Sequence, residues 1–539
     1  MPSKKDNSKK QGPFFRSKKG IALLVILFLL IVTTTYFLLR IEDMAEKKLL
    51  DFINTELAPN AEIDFGEFSF STFPAGLEIR DIRLVHITPF EEHTPEKSAD
   101  AVKAFEIKRL EFSGINLFRM LVNKQWGLDD IKIEGLDFKL VPISDGRLTD
   151  ATPFRQPPPF RIGKITVYDA NFFIFRERES EEPSYEIHHI YSEIDNFSVS
   201  DIEEPFHTYF DHLLFQSSLF QYHTSNGHYS IGVDSVSVSS LEEYAWTGRG
   251  FVKPHLSANE MAGEIGYETD RFDVSFDEFS AQNFDVNRWL AENELVAQSL
   301  GIEKPSIDIH RDKSYPREER DERSLPIDYL KKLPFTVQID SVWWKNGSLS
   351  YTEDFANEGR KGNIHFNDTD LTITKVQNRS MDETIEAKVS ARFMGISDIS
   401  LEGTFSMNET SDHTIAGTLS GFDLQVLNAS LEEWVFVRVR SGRFEQADFY
   451  FGANEERADG ELKFIYSDLE IRFLDEETLE ETRRRRLRSF IANRFRIRSQ
   501  NTIEDPRTGT IDFERDKERS AFNYWWKAIA SGLMDTVKR

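Results

Sequence analysis

The chain has no cysteine among its 539 residues, which excludes disulfides, thiolate nucleophiles and cysteine-ligated metals in any compartment. Positive charge is also short. Lys and Arg number 66 against 92 Asp and Glu, a net charge of -26, and so strong a polyanion argues against nucleic acid as its main partner. Chemical motifs are missing as well. There is no G-x-x-x-x-G-K-[ST] loop, Gly248 and Gly250 form a lone G-x-G, and the nearest approach to a nucleophile elbow, Gly417 to Gly421, places Ser420 one position late. His207, His212, His223 and His228 match no common zinc spacing, since the gap between the first two converges on neither a strand nor a helix. The expectation is a protein without catalytic residues, metal or cofactor.

Long apolar runs are absent with one exception. Residues 20–39, GIALLVILFLLIVTTTYFLL, carry no charge, and at 1.5 Å per residue they span roughly 30 Å of hydrocarbon. The run ends in Tyr36, Phe37, Leu38, Leu39 and Arg40 without small residues in an A-x-A pattern, so it is expected to stay as an anchor. The first 19 residues hold seven Lys or Arg against one Asp, which keeps that end in the cytoplasm by the positive-inside bias.

Beyond the anchor the composition favours strands. Phe alone accounts for 45 residues against 8 Met, an aromatic excess suited to a pleated, half-buried surface. Leu49, Leu50, Ile53 and Leu57 first lie on one face of a short helix ending near Pro59. Alternation at period two then sets in at Ile63 and Phe65, Phe68 and Phe70, Leu77 and Ile79. It recurs at Phe172 and Ile174, Trp344, Leu349 and Tyr351, and Phe449 and Phe451, which reads as half-buried antiparallel strands. Two internal correspondences suggest a repeated β unit. A shift of 177 pairs Ile162 to Ile174 with Ile339 to Tyr351, and a shift of 98 pairs Gly362 to Ile373 with Gly460 to Ile471.

The chain accordingly divides into a basic tail (1–19), an anchor (20–39), an amphipathic stalk helix (40–60), a first β-rich region (61–310), a charged linker (311–333), a second β-rich region (334–475) and a charged helical terminus (476–539). Within the last, residues 520–533 place Phe522, Trp525, Trp526, Ile529 and Leu533 on one helical face. That helix either lies on a membrane surface or caps the sheet, and its thin basic face favours the cap. Arg483, Arg484, Arg485, Arg486 and Arg488 form a basic run, either a solvated helix face or a docking patch for anionic groups.

The order of basic tail, span, short helix and AEIDFGEFSFSTFPAGLEIRDIRLVHI (61–87) resembles the amino terminus of AsmA-like proteins of the Gram-negative envelope. LPFTVQIDSVWWKNGSLSYTED (333–354), the strand Gly460 to Ile471, and TGTIDFERDKERSAFNYWWKAIASGL (508–533) are similar to segments of large AsmA-related proteins. The resemblance implies a mainly β protein: one transmembrane helix, then an elongated, curved antiparallel β-sheet groove with repeated hairpins and short capping helices. It further implies a single-pass inner-membrane protein with its bulk in the periplasm, binding lipid acyl chains in envelope lipid transport or outer-membrane homeostasis. Phe172, Ile174, Trp344, Leu349, Tyr351, Phe449 and Phe451 are the candidate groove-lining residues. A non-catalytic scaffold that binds envelope partner proteins is the alternative.

Overall fold

Alternating Phe, Ile, Val and Leu separated by charged residues build long strands wherever the structure describes the chain. The computed structural model describes residues 61–72, 75–87, 101–114, 126–142, 160–176, 180, 182–199, 209–318, 322–355, 360–475 and 497–538. The expected anchor, stalk helix and arginine run all lie outside these residues. Among the described residues no helix is long and apolar enough to cross a membrane. The fold is mainly β, and its contacts separate two compact units. One comprises residues 1–170 with 177–179 and 196–202, the other residues 171–176, 180–195 and 203–539.

In the first unit, β1 (Ala61–Asp64), β2 (Glu67–Thr72), β3 (Ala75–Ile87), β4 (Ala101–Ser113) and β5 (Trp126–Pro142) pair antiparallel, with β1 and β2 both on β3. Ile79 faces Leu110, and Ile82 faces Ile107. Three residues apart, Ile79 and Ile82 would point to opposite faces of an unbroken strand, yet both are buried. Asp81, between them, takes a left-handed φ of 53° and absorbs one step of the pleat. Gly135 does the same in β5 at φ 64°, carrying the row on from Ile133 to Leu136. The opposite face is a ladder of exposed ion pairs, among them Arg80 with Glu78 at 2.6 Å and Arg83 with Glu106 at 3.0 Å. β6 (Phe160–Ile174) and β7 (Tyr185–Val199) carry the chain onward.

In the second unit, which includes most of β7, short strands come end to end, each couple reading as one long strand broken by one or two residues. They are β8 and β9 (His212–Ser217, Leu219–His223), β10 and β11 (Tyr229–Val233, Val236–Ser239), and β12 and β13 (Tyr244–Thr247, Gly250–Pro254). After helix α1 (Ala258–Ile265) come β14 (Asp270–Phe276) and β15 (Glu278–Gln282), and after α2 (Val286–Glu292) come β16 (Glu294–Glu303) and β17 (Ser306–Asp312). Ladders run β8–β11–β12–β15–β16 and β9–β10–β13–β14–β17. Both end on β18 (Thr336–Asp354), whose first half pairs with β16 and second half with β17.

These two pairings are parallel, which corrects the expectation of a purely antiparallel sheet. A parallel return needs a crossover of a dozen or more residues, and residues 313–335 supply it with helix α3 (Pro326–Lys331) inside. This is the segment expected as a charged linker, and parts of it are bonded to the rest of the fold. Arg317 meets Glu518 at 3.0 Å, the Arg323 backbone N–H donates to the Lys517 carbonyl at 2.7 Å, and the Lys331 ammonium donates to Ser411 Oγ at 2.7 Å.

From β18 the chain meanders antiparallel through β19 (Lys361–Gln377), β20 (Thr384–Phe393), β21 (Ser397–Ser406) and β22 (His413–Asp423). Helix α4 (Asn428–Val435) then leads into β23 (Val437–Ala453), β24 (Arg457–Phe473) and β25 (Thr508–Glu514). The break of the earlier strands recurs as left-handed residues at Asn346, Asp368 and Asp468. The 177-residue correspondence aligns Asp169 with Asn346, both at φ 53°. The 98-residue one aligns Asp468 with Asp370, but Asp368 is the left-handed residue there, so the two strands bulge at different places.

Helix α5 (Ala521–Val537) covers β24 and β25. It also blocks the sheet edge: the outward N–H of Thr510 donates to Asp535 Oδ2 at 3.1 Å, and that of Asp512 to Ser531 Oγ at 3.2 Å. Beneath it Phe451, Leu462, Ile511, Tyr524 and Ala528 form the centre of the core, none more than 1% exposed. Phe451→Ala removes a fully buried ring and is expected to cost about 3–5 kcal/mol, read as a lower urea midpoint of the purified chain by tryptophan fluorescence.

Candidate functional site

Helix α4 touches both β19 and β23, with three strands lying between them. Strands spaced about 4.8 Å apart put some 19 Å between β19 and β23 if flat, whereas a helix of this size is only about 12 Å long. The sheet is therefore concave here. Gly362 permits the close approach, since a Cβ on it would lie 2.3 Å from Trp434 Nε1. Ser430 and Glu433 fasten the helix, the former donating to the Asn363 carbonyl at 2.5 Å and the latter meeting Arg360 at 2.6 Å.

Between α4 and the first turns of α5 the concave face opens into a cavity of about 780 Å³, entirely within the second unit. Its floor is a cross-strand row. Leu349 lies between Ile307 and Phe366, and Tyr351 between Ile309 and Ile364. Phe272, Leu431, Trp434 and Val435 supply further apolar wall. Phe522, Trp526 and Ala530 close it from α5 at i, i+4 and i+8. Phe522 and Trp526 remain 53% exposed, which places two large aromatic rings at the mouth without cover.

Charge around the cavity is mostly compensated. The Arg311 guanidinium donates in a fork to Asp270, Nε to Oδ1 at 2.7 Å and Nη2 to Oδ2 at 2.6 Å. Burial works against the Arg311 charge, but Asp270 outweighs it and holds the guanidinium above its ordinary value. The Tyr351 hydroxyl donates to Glu353 at 2.7 Å, and Lys313 meets the same carboxylate at 2.7 Å. Burial, reinforced by the Glu353 charge, pushes the Tyr351 phenol up, so it stays protonated. The arrangement is an apolar container with a polar rim.

The residues expected to line a groove separate into three groups. Leu349 and Tyr351 do line the cavity. Phe449 and Phe451 belong to the closed core under α5. Trp344, half-buried between Ile302 and Leu371, lies outside the lining, as do half-buried Phe172 and Ile174 at the end of β6. The α5 aromatics also divide. Trp525, Ile529 and Leu533 pack on the core, while Phe522 and Trp526 face the cavity. Trp434 and Phe272 are not distinguishable in the sequence from ordinary interior aromatics.

Among known proteins, the chain matches no family model and no curated sequence.

Asp270→Asn leaves Arg311, with only 16% of its side chain exposed, with Glu268 at 3.9 Å as its remaining carboxylate, and is expected to lower stability by about 3 kcal/mol. Urea unfolding checks this, with the double change Asp270→Leu, Arg311→Met expected to cost less than the single one.

Proposed function

We propose that this is a membrane-anchored, non-catalytic lipid-binding protein of the bacterial envelope, AsmA-like in kind, whose second β unit shelters acyl chains. The observation that carries the reading is the apolar cavity with Phe522 and Trp526 left exposed at its mouth. Apolar rings in water are costly, and each methylene of a lipid chain placed against them contributes about 0.8 kcal/mol. The uncharged run at residues 20–39, with its basic flank, supports an inner-membrane anchor, a cytoplasmic amino terminus and a periplasmic bulk. The motif arrangement across both ends and the middle of the chain supports the AsmA-like assignment and a part in lipid transport or outer-membrane homeostasis. The scaffold reading draws on a different observation: over β22 to β25 the apolar face is filled by the protein's own side chains.

Mass spectrometry of lipids retained by the purified full-length chain separates the two. Lipid is expected with the native chain and with Tyr450→Glu, a residue 56% exposed and outside the lining, and at least tenfold less with Trp526→Glu. No lipid in any of the three favours the scaffold.

A further inference from the structure

Six cations line the cavity, and they are not equivalent. Three are neutralised by carboxylates of the same wall: Arg311 by Asp270 at 2.6 Å, Lys313 by Glu353 at 2.7 Å and Arg317 by Glu518 at 3.0 Å. The other lining carboxylates are engaged too, Glu268 at 3.9 Å from Arg311 and Glu318 with a partner of its own. The remaining cations are Arg323, Arg519 and Lys527. Among the described residues the Arg519 guanidinium meets one carboxylate, Asp516 at 3.7 Å. Arg323 and Lys527 have no carboxylate partner among the described residues, Lys527 resting 5.9 Å from the centre of the Phe513 ring. In a chain of net charge -26, spare positive charge gathered at one apolar opening calls for an explanation.

A second observation falls on the lining of the same cavity. Buried polar atoms in folded proteins nearly always have a hydrogen-bond partner. Arg519 Nε, Asn523 Oδ1 and Trp434 Nε1 are buried, have none, and belong to residues that line this cavity. Two of them are donors and one an acceptor. Arg519 and Asn523 sit one turn apart at the start of α5, where the positive end of the helix dipole adds to the Arg519 charge. From there the stripe Phe522, Trp526 and Ala530 leads over the floor of Leu349 and Tyr351.

We infer that the cavity takes a single-chain amphiphile with an anionic head, the head held by Arg519, Lys527 and Arg323 at the amino-terminal end of α5, the chain lying on the aromatic stripe. This rests on the lipid-binding reading and adds the ligand class. A volume of about 780 Å³ falls in the range of roughly 300–1,000 Å³ that pockets for one small ligand occupy, which favours one chain over a bulky multi-chain lipid. Acidic head and positive rim are complementary, whereas a neutral head would leave Arg323 and Lys527 without a counter-charge and Arg519 with the 3.7 Å contact to Asp516 alone.

The test is binding of the fluorescent 18-carbon polyene fatty acid cis-parinaric acid, and of its methyl ester, to the full-length protein in mild detergent. The acid is expected to bind at least tenfold more tightly than the ester, and the double variant R519Q/K527Q to reduce the acid to the affinity of the ester while leaving the ester unchanged. Competition by palmitate or by a monoacyl glycerophosphate then identifies a carboxylate or a phosphate head. Equal binding of acid and ester to the native chain overturns the anionic head site and leaves chain binding standing. Binding of neither overturns both. The native comparison does not depend on how the variant folds.

Discussion

A sheet that is apolar on one face has to cover that face, and most of the second unit is determined by how far its cover extends. Over β24 and β25 the cover is α5, which seats Tyr524 and Ala528 against Phe451, Leu462 and Ile511. The same helix then presents Phe522 and Trp526 beyond the sheet it caps. Beside β19 the short α4 reaches across, and Leu349, Tyr351, Ile364 and Phe366 border open volume. Core and cavity are thus one apolar surface, closed at one end and open at the other.

Keeping that surface continuous requires a correction built into the strands. A long twisted strand that bends slips its pleat, and a one-residue slip turns every following side chain over. Left-handed residues at Asn346 in β18 and Asp368 in β19 take up the slip. Leu371 and Ile373 on one side of the break, and Ile364 and Phe366 on the other, all remain opposite apolar partners on β18. Asn and Asp suit these positions because they tolerate positive φ better than other residues with a Cβ.

Period-two alternation is legible wherever the chain is described, and it correctly marks Leu349, Tyr351, Phe449 and Phe451 as strand residues with one face inward. It does not distinguish a parallel partner from an antiparallel one, because both leave the same alternation on β18. Nor does it separate Tyr351 from Phe451. Their local patterns are alike, and the position of α5, which begins 70 residues beyond Phe451, makes one a cavity floor and the other a sealed core.

The rim of the cavity lies further still from what local pattern reveals. Residues 311–333 read as a charged linker, yet within them Arg317 and the Arg323 backbone find partners some 200 residues away in Glu518 and Lys517. Arg515 fixes this arrangement: its side chain is fully buried, and it donates to Glu455 at 2.5 Å and to the Arg323 carbonyl. With its carbonyl bound to Arg515 and its N–H to Lys517, the Arg323 backbone is held against the start of α5. A buried cation that donates to backbone and carboxylate is strongly committed to that geometry. It therefore sets where the Arg323 backbone stands on the rim, and ties that part of the opening to the core beneath it.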